Sequence, residues 1–177
     1  FEKCISSGLQ LLDNNQLVTF GIKPNRVETA FGYLGLSNEY ELSPQKLKGF
    51  IEKPSKKRAK ELVDSGKYLW NSGIFLFNVK DIIKAYKLYD KISFDFLKKS
   101  LDHGTTDLDF FRLKEDDWSK CKKISIDYSI LEKTNNLSVV PFNGKWSDLG
   151  SWDSVWNELK LNNQSLVQSE NVTTIDC

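Results

Sequence analysis

The chain has 177 residues, enough for one ordinary domain that buries about 70% of its unfolded surface. It carries 25 Lys or Arg and 24 Asp or Glu residues, a formal net charge of +1, which argues against nucleic-acid and membrane-surface binders because both use a basic patch. No apolar run reaches the roughly 20 residues of a membrane-spanning helix.

The hydrophobic spacing predicts strands that alternate with helices along most of the chain. Short continuous apolar runs indicate strands, and apolar residues three or four positions apart indicate helices. In chain order we predict a helix over 1–12, strands over 16–22, 32–37 and 47–52, a helix over 54–66, a strand over 68–78, a helix over 81–89, a polar helical region over 93–117, a helix over 126–133, a strand over 137–142 and a helix over 151–159.

This alternation favours an α/β fold in which helices flank a mixed, largely parallel sheet. We expect one domain over 1–161 and an exit segment over 162–177 that leads into a strand-like NVTTID. The chain contains no Met and opens inside a helical pattern, so we interpret it as the later part of a domain that is truncated at its N-terminus.

Several common sites are absent from the sequence. His103 is the only histidine, which excludes histidine-based triads and multi-histidine metal sites within the chain. The three cysteines, Cys4, Cys121 and Cys177, contain no CxxC pair, so we expect reduced thiols and a cytoplasmic protein. No GxGxxG or GxxxxGK phosphate loop occurs.

One predicted strand, YLWNSGIFLF at 68–77, is interrupted by Asn71, Ser72 and Gly73. A buried strand has no structural need for three such residues in succession. Two interpretations stay open: the residues face a ligand, or they form a β-bulge whose polar groups are satisfied internally.

Other polar residues lie at predicted strand ends, where α/β sheets bind ligands. Glu52 and Lys53 close one strand, and in an extended strand they face opposite sides unless the Pro54 turn brings them together. Asp148 precedes a turn whose Ser151 is suited to cap the last helix. Asp148 is equally suited to bind a divalent cation and to accept hydrogen bonds from turn amides.

Five segments together resemble bacterial mannose-1-phosphate guanylyltransferases. They occur in the same order and at comparable spacing, from about residue 17 to residue 159: LVTFGIKPNRVETAFGYL, GFIEKP, YLWNSGIFLF, SIDYSILEKT and KWSDLGSW.

The resemblance implies a nucleotide-diphospho-sugar transferase fold and the reaction of GTP with mannose 1-phosphate to give GDP-mannose and diphosphate, assisted by Mg²⁺. The balanced charge and the lack of a long apolar run predict no nucleic-acid or membrane partner, and a homo-oligomer stays open. The implied site residues are Gly32, Glu52, Lys53, Asn71, Gly73 and Asp127 for substrate binding, Lys53 and Asp148 for catalysis, and Asp148 for the metal.

Two departures from the family pattern limit this interpretation. The family's ETGYGY is replaced by ETAFGY, with Ala30 and Phe31 in place of Gly and Tyr. The family's Gly-rich nucleotide loop and first metal-binding aspartate would lie before Phe1, so we expect this chain alone to be inactive.

Three other functions stay open at this point. One is another hexose-1-phosphate nucleotidyltransferase, and a second is a noncatalytic module that binds a sugar phosphate. The third is a glycosidase with Glu52 and Asp127 as its paired carboxylates.

Overall fold

A computed structural model describes residues 1–159 of the chain. The chain divides into two compact units, Phe1–Asn143 and Gly144–Cys177. The predicted domain boundary at 161 and the predicted NVTTID strand lie outside the described residues.

The described residues form seven strands and six α-helices, together with one π-helical turn. The strands are β1 (Leu17–Ile22), β2 (Tyr33–Leu36), β3 (Gln45–Ile51), β4 (Tyr68–Leu76), β5 (Thr105–Asp107), β6 (Phe110–Arg112) and β7 (Leu137–Phe142). The helices are α1 (Glu2–Leu12), α2 (Lys56–Asp64), α3 (Val79–Tyr89), α4 (Lys91–Asp102), α5 (Glu115–Trp118) and α6 (Trp152–Leu159), and the π-helical turn spans Asp127–Leu131.

The main sheet is mixed, as predicted, but it is not largely parallel. Five strands pair in the closed order β1-β4-β2-β3-β7, and only the β1–β7 pair is parallel. The strands β3 and β4, joined through α2, do run in the same direction, since both are antiparallel to β2. Because β2 lies between β3 and β4, these two strands do not pair with each other, and each pairs with β2 in the antiparallel direction.

The strand β1 is buried along its whole length, which confirms the prediction of a strand covered on both faces. One face contributes Leu17 to a core with residues of β2, β4, β7 and α3. The other face packs Val18 and Phe20 against Leu12 of α1 and Val140 of β7. Burial of apolar side chains on both faces is the main stabilising contribution in such a strand.

Two predicted helical regions differ from the structure. The region 93–117 contains α4 and α5, but a β5–β6 hairpin separates them, and all six hairpin residues are exposed. The predicted helix at 126–133 is a single wide turn in which the Glu132 amide donates to the Asp127 carbonyl at 2.9 Å. Both segments are too short and irregular for a 3.6-residue period to identify.

The structure confirms the predicted start and end of α2 and the predicted start of α6. The Ser55 hydroxyl accepts a hydrogen bond from the Arg58 amide at the start of α2, and Gly66 follows this helix with φ of 66°. In the second unit the Ser154 amide donates to the Ser151 hydroxyl at 3.2 Å, which caps α6. Within residues 1–159, no helix has the length and apolarity to cross a bilayer.

Candidate functional site

The strand register brings three of the predicted site residues side by side. Tyr33 of β2 pairs with Ile51 of β3 on one side and with Trp70 of β4 on the other. The adjoining residues Gly32, Glu52 and Asn71 are therefore neighbours. We call these three residues, together with Lys53 and Asp127, the strand-end cluster.

Gly32 shows how closely the cluster is packed. A Cβ atom on Gly32 would lie 2.6 Å from Glu52 Oε2 and 3.3 Å from Asn71 Cβ. The backbone amide of Asn71 also donates a hydrogen bond to the Gly32 carbonyl at 2.8 Å. Glycine is therefore required here by the close approach of the Glu52 carboxylate. The sequence predicted polar residues at the carboxyl ends of strands. Of these three residues, only Glu52 lies there, directly after β3, whereas Gly32 precedes β2 and Asn71 lies within β4.

Asn71 is buried and is held by its side-chain oxygen. Its Oδ1 accepts hydrogen bonds from the Thr19 hydroxyl at 2.8 Å and from the Gly73 amide at 3.3 Å. Its Nδ2 donates to Asp127 Oδ1 at 3.3 Å, which brings the π-helical turn to the cluster. Asn71 and Asp127, both named as site residues from the sequence, thus lie in contact.

The interruption of β4 is a β-bulge, the structural alternative raised by the sequence. Between the pairs Thr19–Phe75 and Gly21–Asn71 the strand β1 advances two residues and β4 advances four. Gly73 adopts φ of 74°, a left-handed conformation that favours glycine. The bulge satisfies Asn71 Oδ1 internally, but it directs Asn71 Nδ2 at a carboxylate in the cluster.

Lys53 is brought back towards Glu52 by a strained turn. Its φ of 46° lies in the left-handed region, which is uncommon for a residue other than glycine. Its amide donates to the Phe31 carbonyl at 3.2 Å, and its Nζ lies 3.7 Å from Glu52 Oε1. The Pro54 turn therefore does place both charges on the same side.

The Glu52 carboxyl has a raised pKa. Burial is the largest cause, because the side chain is only 9% exposed, and the negative charge of Asp127 is the second. Lys53 acts in the opposite direction, and Glu132 adds a smaller increase. Such a carboxyl is an effective hydrogen-bond partner for a hydroxyl in a partly desolvated pocket.

Sequence reasoning missed two residues that support the cluster. Thr19 was included in an apolar strand, although it is the one hydroxyl in LVTFGI. Glu132 accepts a hydrogen bond from the Glu52 amide at 3.0 Å, a contact across 80 residues that no local pattern could indicate.

The Ala30–Phe31 departure is accommodated by aromatic packing. The Phe31 ring meets the Trp70 ring edge to face, with centroids 5.2 Å apart. The Arg26 guanidinium carbon lies 5.1 Å from the Trp70 ring centroid and 5.9 Å from that of Phe31. Phe31 is thus a structural residue beside the cluster, in addition to any ligand contact.

Asp148 belongs to the second unit and is exposed. Its Oδ2 would lie 2.6 Å from a Cβ atom on Gly150, so the carboxylate folds over this glycine. Among residues 1–159 no backbone amide donates to the Asp148 carboxylate, which disfavours the turn-completing alternative. In the same residues no group of three or more His, Cys, Asp or Glu side chains is arranged to hold a metal ion.

The strand-end cluster offers a mixed set of polar groups. Two carboxylates accept hydrogen bonds, an amide nitrogen donates one, and a half-exposed ammonium carries positive charge. Carboxylates and amides match the hydroxyls of a sugar, and an ammonium matches a phosphate. This composition suits a phosphorylated polyhydroxyl ligand.

The sequence of the chain matches a known class of protein. Residues 9–165 match the nucleotidyl transferase family, and the chain therefore belongs to that family. Among curated proteins it is similar to the mannose-1-phosphate guanylyltransferases of Sinorhizobium fredii, with 37% identity over 173 residues, and of Salmonella montevideo, with 39% identity over 163 residues. These matches cover 98% and 88% of this chain, but 34% of each relative, so the chain spans about a third of their length.

Two solved structures share the fold. One is mannose-6-phosphate isomerase from Helicobacter pylori, with a TM-score of 0.74, 28% identity, and coverage of 83% of this chain and 57% of that chain. The other is mannose-1-phosphate geranyltransferase from Thermus thermophilus, with a TM-score of 0.73, 27% identity, and coverage of 88% and 43%.

Proposed function

We propose that the chain is part of a mannose-1-phosphate guanylyltransferase, which converts GTP and mannose 1-phosphate to GDP-mannose and diphosphate. The observation that carries the proposal is the strand-end cluster, in which Gly32, Glu52, Asn71 and Asp127 meet in a member of the nucleotidyl transferase family. The two guanylyltransferase relatives supply the identity of the substrates.

Each residue of the cluster has a defined role in this proposal. Glu52 and Asp127 accept hydrogen bonds from mannose hydroxyls, and Asn71 Nδ2 donates one. Gly32 lets the Glu52 carboxylate lie close against the backbone, and Gly73 in the bulge leaves open space beside the backbone for the sugar ring. The half-exposed Lys53 ammonium neutralises phosphate charge, which stabilises the transition state electrostatically.

The chemistry needs no histidine and no general base. The phosphate oxygen of mannose 1-phosphate is anionic at neutral pH, so it can attack the α-phosphorus of GTP directly. A bond forms between that oxygen and the α-phosphorus, the bond to the β-phosphate oxygen breaks, and diphosphate leaves. In-line positioning of the two phosphates then provides most of the rate increase.

Asp148 is the proposed ligand of the catalytic Mg²⁺. An exposed carboxylate with no backbone partner among residues 1–159 is a suitable hard oxygen ligand, and Mg²⁺ is commonly bound by one or two carboxylates plus substrate phosphates. The cation, when bound, neutralises charge on the reacting phosphates. We also propose a cytoplasmic location, in keeping with the free thiols of Cys4 and Cys121.

The test is turnover by the full-length protein with GTP, ATP, CTP or UTP and with mannose 1-phosphate or glucose 1-phosphate. We expect diphosphate release to be fastest with GTP and mannose 1-phosphate. In Asn71→Ala we expect KM for mannose 1-phosphate to rise roughly tenfold, because one hydrogen bond to the sugar is lost, with KM for GTP unchanged. Asn78→Ala is a matched control, since the Asn78 side chain donates a hydrogen bond to the Leu12 carbonyl at the end of α1 and is not part of the cluster.

The same assay separates the alternatives. Faster turnover with another pair of substrates would replace the proposal with a different hexose-1-phosphate nucleotidyltransferase. Tight binding of mannose 1-phosphate without turnover would indicate a noncatalytic module. Membership of the nucleotidyl transferase family does not support the glycosidase alternative.

A further inference from the structure

Thr19 is a polar residue in the middle of the buried strand β1, and its side chain is 0% exposed. A buried hydroxyl destabilises a strand unless it is hydrogen-bonded, and valine has the same shape without that cost. The Thr19 hydroxyl lies 2.8 Å from Asn71 Oδ1 and 3.3 Å from the Ile74 carbonyl oxygen. It carries a single proton, and the Asn71 oxygen is the nearer acceptor.

The contacts around Asn71 agree on one orientation of its amide. The Gly73 amide can only donate, so the Asn71 atom that it meets is the oxygen. The Asp127 carboxylate can only accept when ionised, so the Asn71 atom that it meets is the nitrogen. The Thr19 bond is the shortest of the three contacts and fills the second lone pair of the oxygen. The bond to Asp127 uses one of the two Nδ2 hydrogens.

We infer that Thr19 is a positioning residue, which holds the Asn71 amide so that Nδ2 presents a donor to a hydroxyl of the bound hexose phosphate. This inference rests on the proposed function. The hydroxyl that fits must accept from Asn71 Nδ2 and can donate its own hydrogen to Asp127 or Glu52. Without the Thr19 hydroxyl the Asn71 side chain keeps only its two longer contacts, with the Gly73 amide and with Asp127, each at 3.3 Å, so its orientation is held less firmly.

The kinetic test compares Thr19→Val, Thr19→Ser, Asn71→Ala and the double variant Thr19→Val/Asn71→Ala in the full-length protein. We expect Thr19→Val to raise KM for mannose 1-phosphate roughly five- to tenfold, with kcat and KM for GTP changed less than about twofold. Thr19→Ser keeps the hydroxyl and should restore KM. If Thr19→Val folds poorly, Thr19→Ala is used in its place. Thr19→Ala also lacks the hydroxyl, so we expect it to raise KM for mannose 1-phosphate by the same roughly five- to tenfold.

The double variant tests whether Thr19 acts through Asn71. We expect its KM to equal that of Asn71→Ala alone, because the two residues form one interaction. Multiplication of the two single effects would overturn the inference, as would an unchanged KM in Thr19→Val. Ser138→Ala is the matched control: it removes a buried hydroxyl from the neighbouring strand that bonds to Gln16, and we expect no change in KM.

A second readout does not require turnover. In protein labelled with ¹⁵N-asparagine, the Asn71 side-chain NH₂ pair is the one missing from Asn71→Ala. We expect this pair to shift and to exchange faster with water in Thr19→Val, and to stay in place in Thr19→Ser. An unchanged pair in Thr19→Val overturns the inference, whereas wild-type protein inactive with mannose 1-phosphate overturns the proposed function instead.

Discussion

Gly32 is the residue at which the absence of a side chain matters most for the candidate site. A Cβ atom there would lie 2.6 Å from Glu52 Oε2 and 2.9 Å from Phe50 Cζ, closer than real Cβ atoms approach. Gly49 of β3 provides a contrast, since a Cβ atom on it would meet nothing within 4 Å. The same substitution at the two glycines therefore separates a local clash from a general effect of replacing glycine.

We predict that Gly32→Ala displaces the Glu52 carboxylate, because that side chain yields more readily than the buried Phe50 ring. We expect KM for mannose 1-phosphate to rise about tenfold or more and the free energy of unfolding to fall by about 1–3 kcal/mol. Gly49→Ala should change both by little. Steady-state kinetics and thermal unfolding measure the two effects, and equal behaviour of the two variants would contradict this account of Gly32.

At the scale of elements, α4 depends on a buried acidic residue at its start. Asp90 is 4% exposed, its carboxylate accepts a hydrogen bond from the Ser93 amide, and Lys122 Nζ lies 3.4 Å from Asp90 Oδ1. Burial acts to raise the pKa of Asp90, but the bonds with Ser93 and the charge of Lys122 together leave this pKa lowered. A lowered pKa means that the ionised carboxylate stabilises the folded state.

The sign of the pH effect follows from this shift. The stability that Asp90 contributes is present above its unfolded pKa and is lost as the pH falls through its folded pKa. We predict that Asp90→Asn, which keeps a capping oxygen, lowers the free energy of unfolding by about 1 kcal/mol at pH 7. The difference from wild type should be smaller at about pH 3, because it is lost progressively as the pH falls from the ordinary Asp pKa of about 3.9 through the lowered pKa of folded Asp90.

Denaturant unfolding at the two pH values measures this difference. Asp95→Asn is the matched control, since Asp95 is a half-exposed carboxylate on the same helix paired with Lys91, and exposed pairs contribute little. A loss in Asp90→Asn that is the same at both pH values would show that the cap, and not the charge, accounts for the effect.

At the scale of the whole molecule, the residues proposed to act on the substrates come from two compact units. The strand-end cluster belongs to Phe1–Asn143, and Asp148 belongs to Gly144–Cys177. The proposed roles differ accordingly: the cluster binds the hexose phosphate, and Asp148 holds the cation. Substitutions of the sugar-binding residues Gly32 and Asn71 should therefore change KM for the hexose phosphate, whereas substitution of Asp148 should change kcat.

We predict that Asp148→Asn in the full-length enzyme lowers kcat by a factor on the order of 100 or more, because charge neutralisation on the phosphates is lost. The Mg²⁺ concentration for half-maximal activity should rise, while thermal unfolding stays unchanged. Asp153→Asn, an exposed carboxylate in the first turn of α6, is the control and should keep wild-type kcat. Normal turnover in Asp148→Asn would remove this residue from the mechanism.

The sequence by itself determined the features that depend on neighbouring residues. A continuous apolar run predicted the buried strand β1, and Ser151 predicted the start of α6, because these signals span only a few neighbouring residues. The family motifs named all five residues of the cluster, including Asn71 and Asp127, which lie 56 residues apart.

Only the tertiary structure decided how these elements are combined. The sheet is mostly antiparallel because β2 lies between β3 and β4. The antiparallel pairing of β2 with β3 places Gly32, at the start of β2, beside Glu52, at the end of β3. The contacts of Thr19 with Asn71 and of Glu132 with Glu52 span 52 and 80 residues. Such contacts depend on strand order and register, which are set by packing of the whole core and leave no local pattern in the sequence.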